Sequence, residues 1–231
     1  MAKDPRSLQE YRLKRQFSTT PEPHGVEKHS ETAGGIFCVQ QHLASHLHFD
    51  FRLEHRGVLL SWAVPKGPSL NPRDKRLAMM TEDHPLDYGD FEGVIPEGYG
   101  SGVVMLWDRG RWLPLDDDVD AAIEKGQIKF ELQGVKLKGQ WVLVRSAGAA
   151  RRFSPNQQDR AWLLIKHRDG WAGDVDVLTA APLSVLSGKD LAGILLEHMP
   201  AQWSAPGNEQ KGRIGKQLQL LIDQARGAGN K

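Results

Sequence analysis

The chain has 231 residues, 39% of them hydrophobic, enough to bury one substantial core with room for an appended subdomain. Thirty basic side chains stand against 29 acidic ones, a formal net charge of +1; this excludes the global field of a highly basic nucleic-acid binder, so any site for a polyanion must be local. Cys38 is the only cysteine, which excludes a disulfide framework and a Cys-rich zinc site; with a charged start and no apolar run near the ~18 residues of a membrane span, the expectation is a soluble cytoplasmic protein that makes no membrane contact.

Residues 1–35 are polar. Leu8 to Lys14 reads as a short helix, and Thr19-Thr20-Pro21-Glu22-Pro23-His24-Gly25 as an extended arm. From Ile36 onward short β patterns recur at 36–42, 46–54, 57–65, 75–81, 102–108, 127–132, 139–146 and 161–167, separated by Gly, Pro and Asp. Eight such strands predict a mainly β fold, a small closed or nearly closed barrel or a sandwich. Asp116 to Lys125 is a helical excursion with acidic residues at its start and Gly126 at its end.

The second strand carries the strongest signal. From His46 to Glu54 polar and apolar residues alternate, so Leu47, Phe49, Phe51 and Leu53 pack inward while His46, His48, Asp50 and Arg52 share the open face. If 36–42 and 46–54 pair as a hairpin, His42 lies beside His48. Successive residues on one strand face are about 6.6 Å apart, so His48 and Asp50 can lean toward one ion. Two imidazoles and a carboxylate suit manganese, zinc or cobalt better than calcium and leave positions for water and substrate. Arg52, next along the face, is placed to fork onto an oxyanion, which makes a phosphoester site the natural reading. His46 shares the parity but sits by the turn, and reads as a residue behind the ligands or facing solvent.

The segment Thr81-Glu82-Asp83-His84-Pro85-Leu86-Asp87-Tyr88 offers His84 as a phosphate donor or general acid and Tyr88 as a hydrogen-bond donor, or else is a solvated loop. After Trp171 the β patterning stops. Ser187-Gly188-Lys189-Asp190 reads as a capping box before the apolar segment Leu191 to Met199, Ser204 to Asn208 as a linker, and Ile214, Leu218, Leu221 and Ile222 as one face of a further helix.

Three stretches together resemble a known family. They are Gln40-x-His42-x-Ala44-Ser45-x-Leu47-His48-Phe49-Asp50-Phe51-Arg52-Leu53-Glu54, Ser61-Trp62-Ala63-Val64-Pro65-Lys66-Gly67-Pro68-Ser69 and Glu82-Asp83-His84-Pro85-Leu86-Asp87-Tyr88. With Phe91-Glu92-Gly93-x-Ile95-Pro96, Gly98-Tyr99-Gly100-x-Gly102 and Trp107-Asp108-x-Gly110-x-Trp112, the chain is similar to the 3′-phosphoesterase domain of bacterial DNA ligase D over about residues 8–170. The resemblance implies a manganese-dependent β-barrel hydrolase that trims 3′-phosphates and terminal ribonucleosides from DNA or DNA/RNA ends at primer-template junctions during end joining. It implies His42, His48 and Asp50 as metal ligands and Arg52, His84 and Tyr88 as the phosphate-holding, catalytic residues. It further implies Arg15, Glu22, Gln40, Lys66, Arg76 and Glu82 as supporting substrate-binding residues.

Two departures qualify it. Gln16 stands where the family commonly has an acidic residue, so removal of a ribonucleoside is expected to be weaker than removal of a 3′-phosphate. The nucleotidyl-transfer motif Lys-x-Asp-Gly is absent, since Lys166-His167-Arg168-Asp169-Gly170 is one residue too long, and the expectation is a free-standing phosphoesterase. Its expected layout is an N-terminal arm over 1–35, a barrel over 36–171 and a helical extension over 172–231. The extension lies outside the resemblance and either closes over the barrel or recruits a DNA ligase or a Ku-like protein. Two rival classes are a non-catalytic nucleic-acid-binding barrel, which would use the seven tryptophans for stacking, and an inactive scaffold, which would not be expected to keep all three ligands.

Overall fold

The computed structural model describes residues 8–25, 34–153, 158–199 and 216–228. A short helix α1 (Gln9–Leu13) precedes the strands β1 (Gly35–Leu43), β2 (Leu47–His55), β3 (Val58–Val64), β4 (Arg76–Met80), β5 (His84–Pro85) and β6 (Gly93–Ile95). These are followed by β7 (Gly102–Pro114), helix α2 (Val119–Lys125), β8 (Gln127–Gly134), β9 (Lys138–Arg145), helix α3 (Ala147–Phe153) and β10 (Ala161–Lys166). The strands run in the order β1-β2-β3-β4-β10-β9-β8-β7, and β7 pairs back to β1, so eight antiparallel strands close into a barrel. Those eight are the ones whose alternation is visible in the sequence. The short β5 and β6 pair outside the ring, on β3 and β7.

The alternation of β2 predicts its packing. Phe49, Phe51 and Leu53 are buried inside the barrel with Trp62, Trp107, Trp112, Phe130, Trp141 and Trp162. Five of the seven tryptophans thus fill the interior, where each aromatic contributes through buried area rather than as a surface for bases. A lumen packed in this way has no room for substrate, so the chemistry has to be on the outer wall. There a second layer forms: Tyr11, Leu59, Tyr88, Phe91, Ile95 and Val104 make their own apolar cluster against the outside of β1 and β3. The arm 8–25 and the segment 82–101 therefore roof the face that the sequence pattern leaves open, and Arg52 beneath them is only 2% exposed. The roof comes from residues distant in sequence, which a strand's own periodicity cannot reveal.

The C-terminal segment packs on the same barrel. Helices α4 (Val177–Ala180), α5 (Leu191–Glu197) and α6 (Lys216–Ala228) place Val177, Ile194, Leu195, Leu218 and Ile222 in the main core. Lys136 Nζ donates to the carbonyls of Ala181 (2.9 Å) and Leu183 (2.5 Å), and Trp107 Nε1 donates to Ala181 (2.8 Å). Asp118 caps α2, as its sequence position predicts, and Gly126 closes that helix at φ +81°. The start of α5 differs from expectation: Asp190, not Ser187, is the cap, its Oδ1 accepting from Gly193 N at 2.8 Å. Ile214 and the Ser204–Asn208 stretch lie outside the described residues. Among the described residues no helix is long and apolar enough to cross a membrane.

Candidate metal centre

The β1–β2 hairpin pairs His42 directly with His48, and Gln40 with Asp50. Cross-strand partners share a face, so His42, His48 and Asp50 meet, each offering one ligand atom within 4.8 Å of the others. Hydrogen bonds to backbone carbonyls settle the tautomers. His42 Nε2 donates to Gly100 O at 2.9 Å and His48 Nδ1 to His46 O at 3.0 Å. The opposite nitrogens both face the same carboxylate: His42 Nδ1 is 3.8 Å from Asp50 Oδ2, and His48 Nε2 is 3.6 Å from Asp50 Oδ1. Neutral imidazoles with their far N–H held by carbonyls are the form in which histidine ligates a metal. Burial and the neighbouring His42 and Arg52 depress the His48 pKa against the pull of Asp50. Burial opposes the charge of Asp50, yet the adjacent Arg52 guanidinium and then the His42 side chain outweigh it and hold the carboxyl well below the usual range. His48 and Asp50 are thereby biased toward the unprotonated forms in which they can ligate a divalent transition ion.

Arg52 is fixed at all three of its nitrogens. Nε donates to Gln40 Oε1 (2.8 Å), one terminal nitrogen to Ser61 Oγ (2.8 Å) and the other to Asp50 Oδ2 (3.1 Å), with the Tyr88 ring 4.8 Å from its carbon. Gln40 is itself clamped, donating to the carbonyls of Tyr88 (2.9 Å) and Phe91 (2.8 Å). A β-bulge between Val39 and Gln40 in the β1–β7 pairing sits at this point, where bulges commonly re-aim side chains.

The roof supplies the rest of the cluster. Arg15 Nε donates to Glu22 Oε1 (2.8 Å), one terminal nitrogen reaches Glu82 Oε1 (3.2 Å), and the other lies 3.2 Å from His84 Nε2. Tyr88 donates its hydroxyl to the same Glu22 oxygen (3.0 Å), and Lys14 Nζ pairs with Glu82 Oε2 (2.9 Å). His84 Nδ1 donates to Glu82 O at 2.9 Å, leaving Nε2 to accept from Arg15. Burial, reinforced by Arg52 and Arg15, lowers the His84 pKa well below its ordinary value, so the ring is neutral. Burial and then Glu22 push the Tyr88 phenol up, keeping it a hydrogen-bond donor.

Of the residues singled out from the sequence, His42, His48, Asp50, Arg52, Gln40, Glu82, His84, Tyr88, Arg15 and Glu22 thus fall into one continuous network. Lys66 and Arg76 do not join it. Lys66 is exposed in the turn after β3. Arg76 bonds Asp74 at 3.0 Å. Asp50 pairs with Ala63, and Ala63 with Met79, so the odd spacing from Met79 puts Arg76 on the opposite face of β4. His46 lies in the turn, exposed, and contributes only its carbonyl. Sequence reasoning missed Ser61, Lys14, Tyr11 and the Gly100 carbonyl. Ser61 had a usable signal, a hydroxyl interrupting the apolar run Val58 to Val64; a backbone carbonyl has none.

Barrel, roof and triad define an antiparallel β-barrel domain with a candidate metal centre and an adjacent guanidinium pair on its outer wall. Residues 40–145 match the family model described as the DNA Ligase D 3'-phosphoesterase domain, and the chain belongs to that family. It is 47% identical over 213 residues to the multifunctional non-homologous end joining protein LigD of Pseudomonas aeruginosa, covering 90% of this chain and 24% of that protein. It is 42% identical over 159 residues to the multifunctional non-homologous end joining DNA repair protein LigD of Mycobacterium tuberculosis, covering 66% of this chain and 20% of that one. The chain thus spans about a fifth to a quarter of the length of these relatives. The Pseudomonas match leaves only a tenth of the chain unaligned, so part of 172–231 aligns with that longer protein, whereas the match to the domain model itself ends at residue 145.

Proposed function

We propose that the chain is a divalent-metal-dependent 3′-phosphoesterase that trims 3′-phosphates and terminal ribonucleosides from DNA or DNA/RNA primer ends in end joining. The observation that carries this reading is the pair of ring nitrogens, His42 Nδ1 and His48 Nε2, aimed with Asp50 at one point beside Arg52. His42, His48 and Asp50 are the metal ligands in this reading, and manganese fits the mixed nitrogen–oxygen set, as do cobalt and zinc. When bound, such an ion supplies Lewis acidity toward a phosphate oxygen.

Charge balance supports the need for it. Arg52 pairs with Asp50, Arg15 with Glu22 and Lys14 with Glu82, so the cluster's three cations are each matched by a carboxylate. A phosphate dianion entering this wall meets net positive charge only when a divalent cation is present. Arg52 and Arg15, held rigidly by the barrel and the arm, then present their remaining N–H groups to the phosphate oxygens. Tyr88 holds Glu22, and so the position of Arg15. Neutral His84 has no proton to give from Nε2, which places it on the accepting side of proton transfer or as a nucleophile rather than as a general acid. Lys66 and Arg76 have no direct role in this reading.

The test is incubation of a primer-template carrying a 3′-phosphate, or one terminal ribonucleotide, with manganese and then with chelator. Manganese-dependent trimming by the wild type and its loss in His42→Ala are expected. No trimming, or undiminished trimming by His42→Ala, would remove the proposal. Recruitment of a DNA ligase or a Ku-like partner remains a proposal for the rest of the surface, tested by co-purification with purified partner.

A further inference from the structure

Tyr99 has a use that the network above leaves unassigned. Of the three tyrosines, Tyr11 and Tyr88 are buried in the outer apolar cluster, whereas Tyr99 is 51% exposed. It stands between Gly98 (φ +82°) and Gly100 (φ +79°), left-handed positions that suit glycine, and Ser101 N closes the turn onto Gly98 O at 3.3 Å. The next carbonyl in the chain, Gly100 O, is the one that holds His42. The ring is therefore one residue from the triad. Lys14 Nζ lies 5.0 Å from its centre and the Arg15 guanidinium carbon 5.8 Å, so cations that already belong to the cluster brace the ring at its inner side. Single exposed aromatics are common on protein surfaces, but this one is built into the lip of the site, stapled by backbone to a ligand histidine and by charge to the arm.

We propose that Tyr99 is the platform on which the nucleobase of the 3′-terminal nucleotide stacks, a substrate-positioning residue that sets the end against the centre. This rests on the reading of the site as one for 3′ ends. An aromatic face accepts any base but favours the larger ring, so purine-ended primers bind better than pyrimidine-ended ones.

The test is equilibrium binding, by fluorescence anisotropy in chelator, of primer-templates ending in a 3′-hydroxyl on either adenosine or an abasic sugar. Tyr99→Leu is expected to bind the adenosine end about tenfold more weakly than wild type, and Tyr99→Phe within about twofold of it. On the abasic end wild type itself is expected to fall by about tenfold, with Tyr99→Leu adding nothing. Equal weakening by Tyr99→Leu on both ends, Tyr99→Phe as weak as Tyr99→Leu, or no binding by wild type would overturn the inference. Because binding is read without turnover, base-dependent binding with no manganese-dependent trimming would sink the phosphoesterase proposal and leave Tyr99 standing.

Discussion

Gly100 decides which nitrogen His42 offers. Its carbonyl accepts from His42 Nε2 at 2.9 Å, which turns Nδ1 toward Asp50. That carbonyl points as it does because Gly100 sits at φ +79°, a conformation that any other L residue adopts only under strain. Gly100→Ala is therefore expected to lower the affinity for manganese about 10- to 100-fold, the range for loss of an orienting partner behind a metal ligand. Isothermal titration of the metal-free protein with manganese checks this; an unchanged affinity would show that the carbonyl does not govern the ligand.

Gln40 is the keystone beneath Arg52. It is fully buried and joins Arg52 Nε to the carbonyls of Tyr88 and Phe91. Gln40→Leu keeps the volume but strands a guanidinium N–H and the Phe91 carbonyl out of water, while the Tyr88 carbonyl keeps the Phe91 N–H as its partner. At about 1–3 kcal/mol for each buried polar group left without a partner, a destabilisation of about 2 kcal/mol or more is expected in urea unfolding. A loss below about 1 kcal/mol would mean that water reaches these groups.

How much of this was legible follows from where each contact lies in the chain. The eight ring strands announce themselves because inward and outward residues alternate within each strand, and His42, His48, Asp50 and Arg52 announce themselves because one hairpin holds them all. The His84 segment reads locally as a solvated loop as readily as a site, and only the resemblance decides between them, since its partners Arg15 and Ser61 are 69 and 23 residues away. Lys66 and Arg76 show the converse: a motif marks a neighbourhood, but strand parity sends Arg76 to the other face. The open face of β2 proved roofed because the roof is recruited from 8–25 and 82–101, whose apolar residues Tyr11, Tyr88 and Phe91 are too scattered to read as one surface.

Tyr88 and Arg15 meet on the same oxygen of Glu22, so their contributions should not add. In a double-mutant cycle of Tyr88→Phe with Glu22→Leu, a coupling of about 1 kcal/mol in stability is expected, because either change alone already removes the shared bond. Additive losses within about 0.3 kcal/mol would place the two residues in separate networks.

The metal-free protein should be acid-sensitive. The His84 and His48 pKa values are lowered in the fold, so below the ordinary histidine value the unfolded chain takes up protons that the folded chain refuses, and stability falls as pH drops through about 6.5. Asp50 and Glu82 are also depressed; their contribution is present above the ordinary carboxylate range and is lost as pH falls through and below it. The melting temperature in chelator is therefore expected to fall between pH 7.5 and 5.5, in the histidine window, and again below about pH 4.5. His84→Gln should shrink the first fall and leave the second. An identical first fall in this variant would assign the sensitivity elsewhere.

Gln16 stands where the resemblance leads to the expectation of an acidic residue. Its side chain is exposed on the arm, next to Arg15, and its carbonyl accepts from the backbone and hydroxyl of Thr19, so Gln16→Asp should leave the fold untouched. An acid there adds a negative charge and acceptor oxygens beside the guanidinium that reaches Glu82 and His84. A terminal ribonucleoside brings hydroxyls that such an acceptor can hold, whereas a 3′-phosphate monoester brings only more negative charge. The substitution is therefore expected to raise the rate of ribonucleoside removal several-fold and to leave 3′-phosphate removal unchanged or slower. Single-turnover assays on the two primer ends, wild type beside variant, measure the ratio directly; equal rates for the two proteins in the nucleoside step would show that the arm does not set the preference.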